Sequence, residues 1–158
     1  MMKWKDGDGA HVVFYRALSM NPKGKSVLAV LLCKRTQDAP NYPGCWSLFG
    51  GQLDIRHNED PGSAARREIQ EELKTIDVNL GTLELEELYV ARVKGFTVTY
   101  FKAPLNIGMN MMRLRWNMEH NKVEGEGIGW FTAEEIHHLM MRPEDRIAVN
   151  EFFKKAGI

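Results

Sequence analysis

Runs of apolar residues divide the chain into short predicted strands around one acidic helical stretch. Residues 26–33, SVLAVLLC, are continuously apolar, which is typical of a strand buried on both faces of a sheet. Loops rich in glycine, proline and asparagine separate this run from its neighbours. The remaining predicted strands are residues 11–18, a segment that begins at Trp46, residues 76–80, residues 83–93, residues 96–101 and a short strand within residues 123–131.

A central helix is predicted from Asp60 onward. Asp60 suits the N-cap, and Pro61 suits the first helical position, where its missing N–H would have no partner in any case. Two further helices are predicted, one opened by a Thr-x-x-Glu capping box at residues 132–135 and one at residues 143–156. The apolar residues of the central helix recur at helical spacing and predict one buried face, formed by Ala64, Ala65, Ile69 and Leu73.

The central helix concentrates negative charge, because Glu68, Glu71 and Glu72 fall within five consecutive residues. At about 3.6 residues per turn the three carboxylates crowd one side of the helix and repel one another. A divalent cation such as Mg²⁺, which takes carboxylate oxygens and keeps several waters for substrate phosphates, would remove this conflict. The acidic face therefore predicts a metal site. The alternative is a solvent-facing acidic surface with an ion pair between Arg67 and Glu71.

The helix and the turn before it resemble the Nudix hydrolase family. The motif of that family is a glycine, five residues, a glutamate, seven residues and then Arg-Glu-aliphatic-any-Glu-Glu-any-Gly-aliphatic. Here Glu59 is followed by seven residues and by REIQEE at residues 67–72, and WSLFGG at residues 46–51 resembles the family's W-x-x-P-G-G. The resemblance spans roughly residues 26–136. It implies a Nudix-type α/β/α sandwich with a mixed β-sheet, in which the acidic helix and the C-terminal helices cover opposite faces.

The chain departs from the family motif in the loop and at the end of the helix. Seven residues rather than five separate Gly51 from Glu59, so the loop carries a two-residue insertion that places His57 at the unshifted glutamate position. Phe49 stands where proline is commonest. Lys74 replaces the glycine that usually closes the helix, which implies either a left-handed non-glycine residue or a longer helix. None of these departures removes a carboxylate of the acidic helix.

The resemblance also implies roles for the motif residues. Glu71 and Glu72 are expected to bind the metal, and Glu68 is expected to bind it or to orient the catalytic base. The Gly50 carbonyl is a further expected ligand. Arg67 is expected to pair with a glutamate and align it. The implied cofactor is Mg²⁺, with Mn²⁺ as a substitute.

Residues outside the acidic helix complete the predicted site. Glu59 is expected to anchor the loop or to support the metal ligands, and the base is a glutamate of the motif or Glu124. Glu124, or failing it Glu126, is expected to bind the metal, the alternative being that both are exposed loop acids. Arg35 or Lys34 is expected to contact substrate phosphate, the alternative being a solvated strand end. The loops expected to select the substrate are residues 36–44, 51–58 and 105–121.

Composition indicates the number of domains, the classes of binding partner and the cellular location. The 158 residues predict one domain, 1–158, with residues 1–9 as a loose lead-in. Lys plus Arg and Asp plus Glu both number 21, so no net charge attracts nucleic acid or an anionic membrane. Cys33 and Cys45 are too few for a disulfide framework and lack a metal-binding spacing. Without a signal segment or a long apolar run, the chain is expected to be a cytoplasmic monomer or homodimer.

Two functions follow from this sequence. The first is an Mg²⁺-dependent hydrolase that cleaves the pyrophosphate linkage of a nucleoside diphosphate joined to another group. Its substrate is a small nucleotide, either a nucleoside triphosphate, a nucleotide sugar or a dinucleotide. The second is a catalytically weak nucleotide-binding or regulatory module of the same fold.

Overall fold

The computed structural model describes residues 3–19, 26–117, 122–123 and 125–158. None of the helices in these residues is both long and apolar enough to cross a membrane. The strands are β1 (Gly9–Ser19), β2 (Ser26–Lys34), β3 (Trp46–Ser47), β4 (Phe49–Gln52), β5 (Leu73–Thr75), β6 (Glu86–Val93), β7 (Phe96–Pro104), β8 (Met112–Leu114), β9 (Trp116–Asn117), β10 (Lys122–Val123) and β11 (Gly127–Thr132), and the α-helices are α1 (Pro61–Glu72), α2 (Ala133–Ile136) and α3 (Pro143–Lys155).

Seven of the described strands form one mixed sheet in the order β11-β2-β1-β7-β6, with β3 paired to β2 and β4 paired to β1. β1 and β7 run parallel, and the other neighbours run antiparallel. β1 and β2 are paired from Tyr15 opposite Val30 to Ser19 opposite Ser26. Beyond this point β1 pairs with β4 and β2 pairs with β3. The two central strands therefore diverge, and the β3–β4 segment occupies the opening between them.

Hydrophobic clusters on the two faces of the sheet hold α1 and α3 in place. α1 buries Ala64, Ala65 and Ile69 against one face, as the helical spacing predicts. α3 buries Val149 and Phe152 against the other face. Each fully buried aliphatic or aromatic side chain contributes about 1.5–3 kcal/mol. This arrangement confirms the predicted α/β/α sandwich with a mixed β-sheet.

The strand predicted at residues 76–80 is wrong. Asp77 has a left-handed backbone with φ 60°, which no strand accommodates. The Asn79 side chain then accepts a hydrogen bond from the Gly81 N–H at 2.9 Å and caps a short 3₁₀ helix, Leu80–Thr82. Local bonding by the asparagine side chain therefore competes with strand formation here. The next strand begins at Glu86, three residues later than predicted.

The end of the expected loose lead-in is fixed to the sheet. Asp8 is buried, and its carboxylate accepts hydrogen bonds from the backbone N–H groups of Lys5 and Thr97, both at 2.9 Å. Because Thr97 belongs to β7, these bonds join the start of β1 to its parallel neighbour. The Asp8 carboxylate thus connects residues 5–9 to the sheet.

Candidate active site

The helix α1 begins as its sequence predicts. The Asp60 carboxylate accepts a hydrogen bond from the Ser63 N–H at 2.8 Å, and Pro61 occupies the first turn. The end of α1 differs from both expectations for Lys74. Leu73 is already extended, with φ −126° and ψ 132°, and Lys74 lies in β5 opposite Arg113 of β8. Pairing with β8 ends the helix without a glycine or a left-handed residue.

The loop between Gly51 and Glu59, which is two residues longer than in the family motif, has its additional length at the surface. Residues Ile55–His57 form a short 3₁₀ helix that ends at Asn58 in a left-handed conformation, with φ 53°. Glu59 turns back into the loop, where its Oε1 accepts a hydrogen bond from the Asp54 N–H at 2.8 Å. The His57 side chain is exposed and bonds only Asp54 among the described residues. The insertion thus leaves Glu59 in place and moves His57 away from α1.

Arg67 connects this loop to the acidic helix. Its Nε and Nη2 donate to the two carboxylate oxygens of Glu59 at 2.8 and 2.9 Å, and Nη2 also donates to the Gln52 carbonyl at 2.9 Å. Nη1 donates to Glu68 at 2.9 Å and lies 3.4 Å from Glu71. The hydrogen bonds from Arg67 lower the pKa of Glu59, and pairing with Glu59 raises the pKa of Arg67. Bidentate pairs of this kind fix orientation as well as charge.

The three carboxylates of α1 have different surroundings. Glu68 and Glu72 line one cavity, whereas the Glu71 side chain is 50% exposed and faces Arg67. Burial raises the pKa of Glu68, although the Arg67 charge acts against this rise. The Gly50 N–H donates to Glu72 Oε1 at 3.2 Å and so orients that carboxylate. Glu68 and Glu72 are one helical turn apart, which explains why these two face the cavity together.

Two glycines allow β4 to approach its neighbours closely. A Cβ on Gly51 would lie 2.5 Å from the Glu68 carboxyl group, so the side chain of Glu68 occupies the space that a larger residue would need. Gly50 has φ +151°, and a Cβ there would lie 2.2 Å from the Ala10 carbonyl oxygen. The backbone of β4 therefore lies against the Glu68 carboxylate at Gly51 and against β1 at Gly50.

A cavity of about 570 Å³ lies where β1 and β2 diverge. This volume is within the usual range of ligand sites. Its charged lining residues are two glutamates of α1 and two arginines. Residues 36, 39 and 40 of the predicted substrate loop also line it, while residues 51–58 and 105–121 contribute none of the described lining residues. The full lining is His11, Cys33, Arg35, Thr36, Ala39, Pro40, Ser47, Leu48, Gly50, Glu68, Glu72 and Arg142.

Of the charged site residues predicted outside α1, some line the cavity and others lie away from it. Arg35 lines the cavity, with its Nε donating to the Asn41 carbonyl at 2.8 Å. Lys34 is not among the lining residues, and its Nζ lies 3.8 Å from Glu126. Glu126 also accepts a hydrogen bond from the Gln37 N–H at 3.2 Å and is not a lining residue either. Glu124 lies outside the described residues.

Sequence reasoning did not single out His11 and Arg142 as lining residues. His11 is 6% exposed, and burial lowers the pKa of its imidazole. The guanidinium charges of Arg142 and Arg35 also lower this pKa, while the Asp145 carboxylate and the Phe49 carbonyl act in the opposite direction. The net effect favours the neutral form of the ring. Both residues reach the cavity through long-range pairing, so no local pattern marks them.

The oxygen atoms on the acidic side of the cavity fit a hard divalent cation. The carboxylates of Glu68 and Glu72 meet beside the Gly50 backbone, and Mg²⁺ prefers such oxygen donors. Among the described residues, no group of three or more His, Cys, Asp or Glu side chains is arranged to hold a metal ion. Glu71 faces Arg67, whereas Glu68 and Glu72 line the cavity, and the expected metal role of all three carboxylates stays a prediction. Two carboxylates and a backbone carbonyl would hold the ion, with waters and substrate oxygens as its other ligands.

Several solved structures share this fold. A mutT/nudix family protein from Listeria innocua has a TM-score of 0.67 at 20% identity, over 96% of this chain and 94% of that one. An Ap4A hydrolase from C. elegans, solved as a binary complex, has a TM-score of 0.63 at 22% identity, over 96% of this chain and 100% of that one. The NUDIX domain of Shewanella oneidensis NrtR, complexed with ADP ribose, has a TM-score of 0.61 at 13% identity, over 94% and 86%.

The family itself is established by sequence. No curated protein matches the chain significantly. A model of the NUDIX domain, however, matches residues 11–152, which include most of β1, the residues that line the cavity, α1 and most of α3. This match confirms both the family and the enzyme class that the motif of Glu59 and residues 67–72 predicted. The chain belongs to the Nudix hydrolase family.

Proposed function

We propose that the protein hydrolyses the pyrophosphate linkage of a nucleoside diphosphate joined to a further group, with Mg²⁺ as its cofactor and Mn²⁺ as a substitute. The observation that carries this proposal is the cavity in which Glu68 and Glu72 face the same space as Arg35. Carboxylates suit a hard cation, and a guanidinium suits the phosphate oxygens of the substrate. A cavity of about 570 Å³ has room for a nucleotide beside both.

The residues of α1 and β4 have separate tasks in this proposal. Glu68 and Glu72, with the Gly50 carbonyl, hold the cation, which when bound withdraws charge from the phosphates and lowers the pKa of a coordinated water. Arg67 keeps the Glu68 carboxylate in place through the 2.9 Å hydrogen bond. Glu71 becomes available to the cavity only when it turns away from Arg67, 3.4 Å distant. The proton from the attacking water goes to a glutamate of the motif or to Glu124.

The test is release of phosphate or pyrophosphate from nucleoside triphosphates, nucleotide sugars and dinucleotides, with Mg²⁺, with Mn²⁺ and with EDTA. Metal-dependent turnover of one substrate class is the expected result. The variant Glu72→Gln should lower this turnover by orders of magnitude, and Glu87→Gln, which makes the same change at an exposed position on β6, should not. Turnover that persists in EDTA, or that is equal in both variants, would contradict the proposed site.

A binding or regulatory module is the second candidate. Two observations favour it: Glu71 is paired with Arg67, and no three-residue metal cluster is formed among the described residues. Calorimetric titration separates the two functions. Mg²⁺ that binds more tightly when nucleotide is present is expected of the hydrolase. Nucleotide binding that is indifferent to Mg²⁺, together with no turnover, is expected of the module.

A further inference from the structure

The wall of the cavity that faces α3 contains a buried polar atom without a partner. His11 Nδ1 makes no well-aligned hydrogen bond to a described residue, although the Phe49 carbonyl is near enough to act on the ring and the side chain is 94% buried, as its 6% exposure implies. An unsatisfied buried polar atom typically costs about 1–3 kcal/mol, so a native example calls for an explanation. Nδ1 lies against the backbone of Gly50, and both residues line the cavity, so a ligand that reaches this point can supply the missing partner.

The surrounding residues hold the His11 ring in this position. The imidazole stacks on Tyr100, with ring centroids 5.5 Å apart and an interplanar angle of 24°. The Tyr100 hydroxyl donates to Asp145 Oδ1 at 3.2 Å, and Asp145 Oδ2 accepts a hydrogen bond from the Leu48 N–H at 3.0 Å. Asp145 is completely buried in the first turn of α3. The tyrosine and the aspartate thus support the ring from behind, and they do not satisfy its Nδ1.

Arg142 places a second unsatisfied group on the same wall. It is the N-cap residue of α3, and its backbone N–H donates to the Trp46 carbonyl at 3.0 Å. Its Nε is buried and makes no hydrogen bond to a described residue; the Glu144 carboxylate lies 3.6 Å away. Arg35 lies on the same cavity with one nitrogen bonded to Asn41. A guanidinium has only donors, so a ligand beside Arg35 and Arg142 must offer acceptors. It competes there with the Glu144 carboxylate, which is ion-paired with Arg142 and whose Oε2 is also buried without a hydrogen bond.

The charges of the lining residues divide the cavity into two sides. Glu68 and Glu72 come from α1, whereas Arg35 and Arg142 come from the loop after β2 and from the start of α3. Glu68 and Glu72 would hold a cation on the acidic side, together with the substrate phosphates next to it. The arginines are therefore left for a different anionic group of the same substrate. A nucleobase edge fits less well, because it carries donors as well as acceptors.

We propose that His11 and Arg142, with Arg35, form a second anion subsite that binds a phosphate of the substrate beyond the phosphates held at Glu68 and Glu72. This inference rests on the proposed function and narrows its substrates. It favours nucleotides with three or more phosphates in a row, such as nucleoside triphosphates and dinucleoside polyphosphates. Nucleotide sugars are disfavoured, because the group beyond their two phosphates is an uncharged sugar.

The test measures binding of inorganic tripolyphosphate in EDTA. Without metal the carboxylates of α1 repel phosphate, so binding reports on the basic wall alone. Arg142→Gln should weaken tripolyphosphate binding about tenfold to a hundredfold, the usual effect of losing a charged hydrogen bond. Arg113→Gln removes the same charge from exposed β8 and should leave the affinity unchanged.

Two variants of His11 separate hydrogen bonding from packing. His11→Phe keeps a ring on Tyr100 and loses both nitrogens, so tripolyphosphate should bind severalfold more weakly. His11→Asn keeps a polar atom near the position of Nδ1 and should restore most of the affinity. Circular dichroism checks that each variant is folded. If His11→Phe does not fold, Arg142→Gln still decides the question, because it changes a helix end rather than the core.

Adenosine serves as the second probe. Its binding should be the same in the wild type and in the variants of Arg142 and His11. Weaker adenosine binding with unchanged tripolyphosphate binding would overturn the assignment and make this wall a base subsite. Unchanged binding of both probes would overturn it as well. Failure of the proposed function is seen separately, as absence of metal-dependent hydrolysis by the wild type. If hydrolysis is found, Arg142→Gln should lower kcat/KM more for a triphosphate than for a nucleotide sugar.

Discussion

Replacing Gly51 by alanine would put a methyl group into the space that the Glu68 carboxylate occupies. The new Cβ would lie 2.5 Å from the carboxyl carbon and from Oε1, and 3.4 Å is where ordinary contact begins. The carboxylate must therefore move by about 0.9 Å, the difference between these two distances. The backbone at Gly51 does not have a positive φ, so alanine adds no strain of its own.

The expected loss is in activity rather than in stability. A displacement of about 1 Å at a reacting centre can reduce the rate roughly a hundredfold, which is about 2.7 kcal/mol of transition-state stabilisation. The Glu68 carboxylate is the end of a flexible side chain, so moving it should change the free energy of unfolding by less than about 1 kcal/mol. For a chain of this size that corresponds to a shift in Tm of about 2–4 °C at most.

Two other glycines supply controls for Gly51→Ala. Gly50→Ala would meet the Ala10 carbonyl oxygen at 2.2 Å with φ +151°, so it should destabilise the fold by several kcal/mol. Gly62→Ala on α1 meets atoms only at 3.4 Å or more and should leave activity unchanged. The assay combines kcat/KM on the substrate found in the panel with thermal unfolding of all three variants. Gly51→Ala with a rate within threefold of the wild type would refute the reasoning, as would unfolding comparable to that of Gly50→Ala.

Three further substitutions test the site and its support. Glu72→Gln should keep the fold, because the amide oxygen can still accept from the Gly50 N–H, yet lower kcat by orders of magnitude in the phosphate-release assay; an unchanged rate would remove Glu72 from the site. Arg67→Lys should lower both Tm and activity, since lysine cannot reproduce the two-oxygen pairing with Glu59 at 2.8 and 2.9 Å, and equal values for both proteins would show that the pairing is dispensable. Asp145→Asn should reduce the free energy of unfolding by about 1–3 kcal/mol in urea titrations, because the amide cannot accept both buried hydrogen bonds, and no loss would contradict the burial argument.

The acidic helix could be predicted from sequence because its causes are local. The cap at Asp60, the apolar spacing and the motif around Arg67 all lie within one short stretch, and the structure has each of them. The sequence did not show that the three glutamates of α1 have different surroundings. Helical spacing puts Glu68, Glu71 and Glu72 on one side, whereas in the structure Glu71 is half exposed and pairs with Arg67, which the loop residue Glu59 holds in place.

The basic wall of the cavity could not be predicted, because it depends on contacts between distant segments. His11 reaches the cavity because β1 pairs with β4, with His11 opposite Gly50. Arg142 reaches it because the segment before α3 lies against β3, where Trp46 accepts the Arg142 N–H. In the sequence these residues look like one histidine in a strand and one arginine before a proline. Register and topology, rather than residue type, give them their position.

The loop between Gly51 and Glu59 is held at both ends, and this affects how long the loop can be. One end is held by β4 in the sheet, and the other by Arg67 and the Asp54 N–H on Glu59. For a flexible loop, closure entropy rises only as the logarithm of length, so growth from five residues to seven costs about 0.3 kcal/mol. Additional residues beside Asn58 should thus be tolerated almost freely. The motif thus depends on the two fixed ends of this loop, and the number of residues between Gly51 and Glu59 can vary at little cost in free energy.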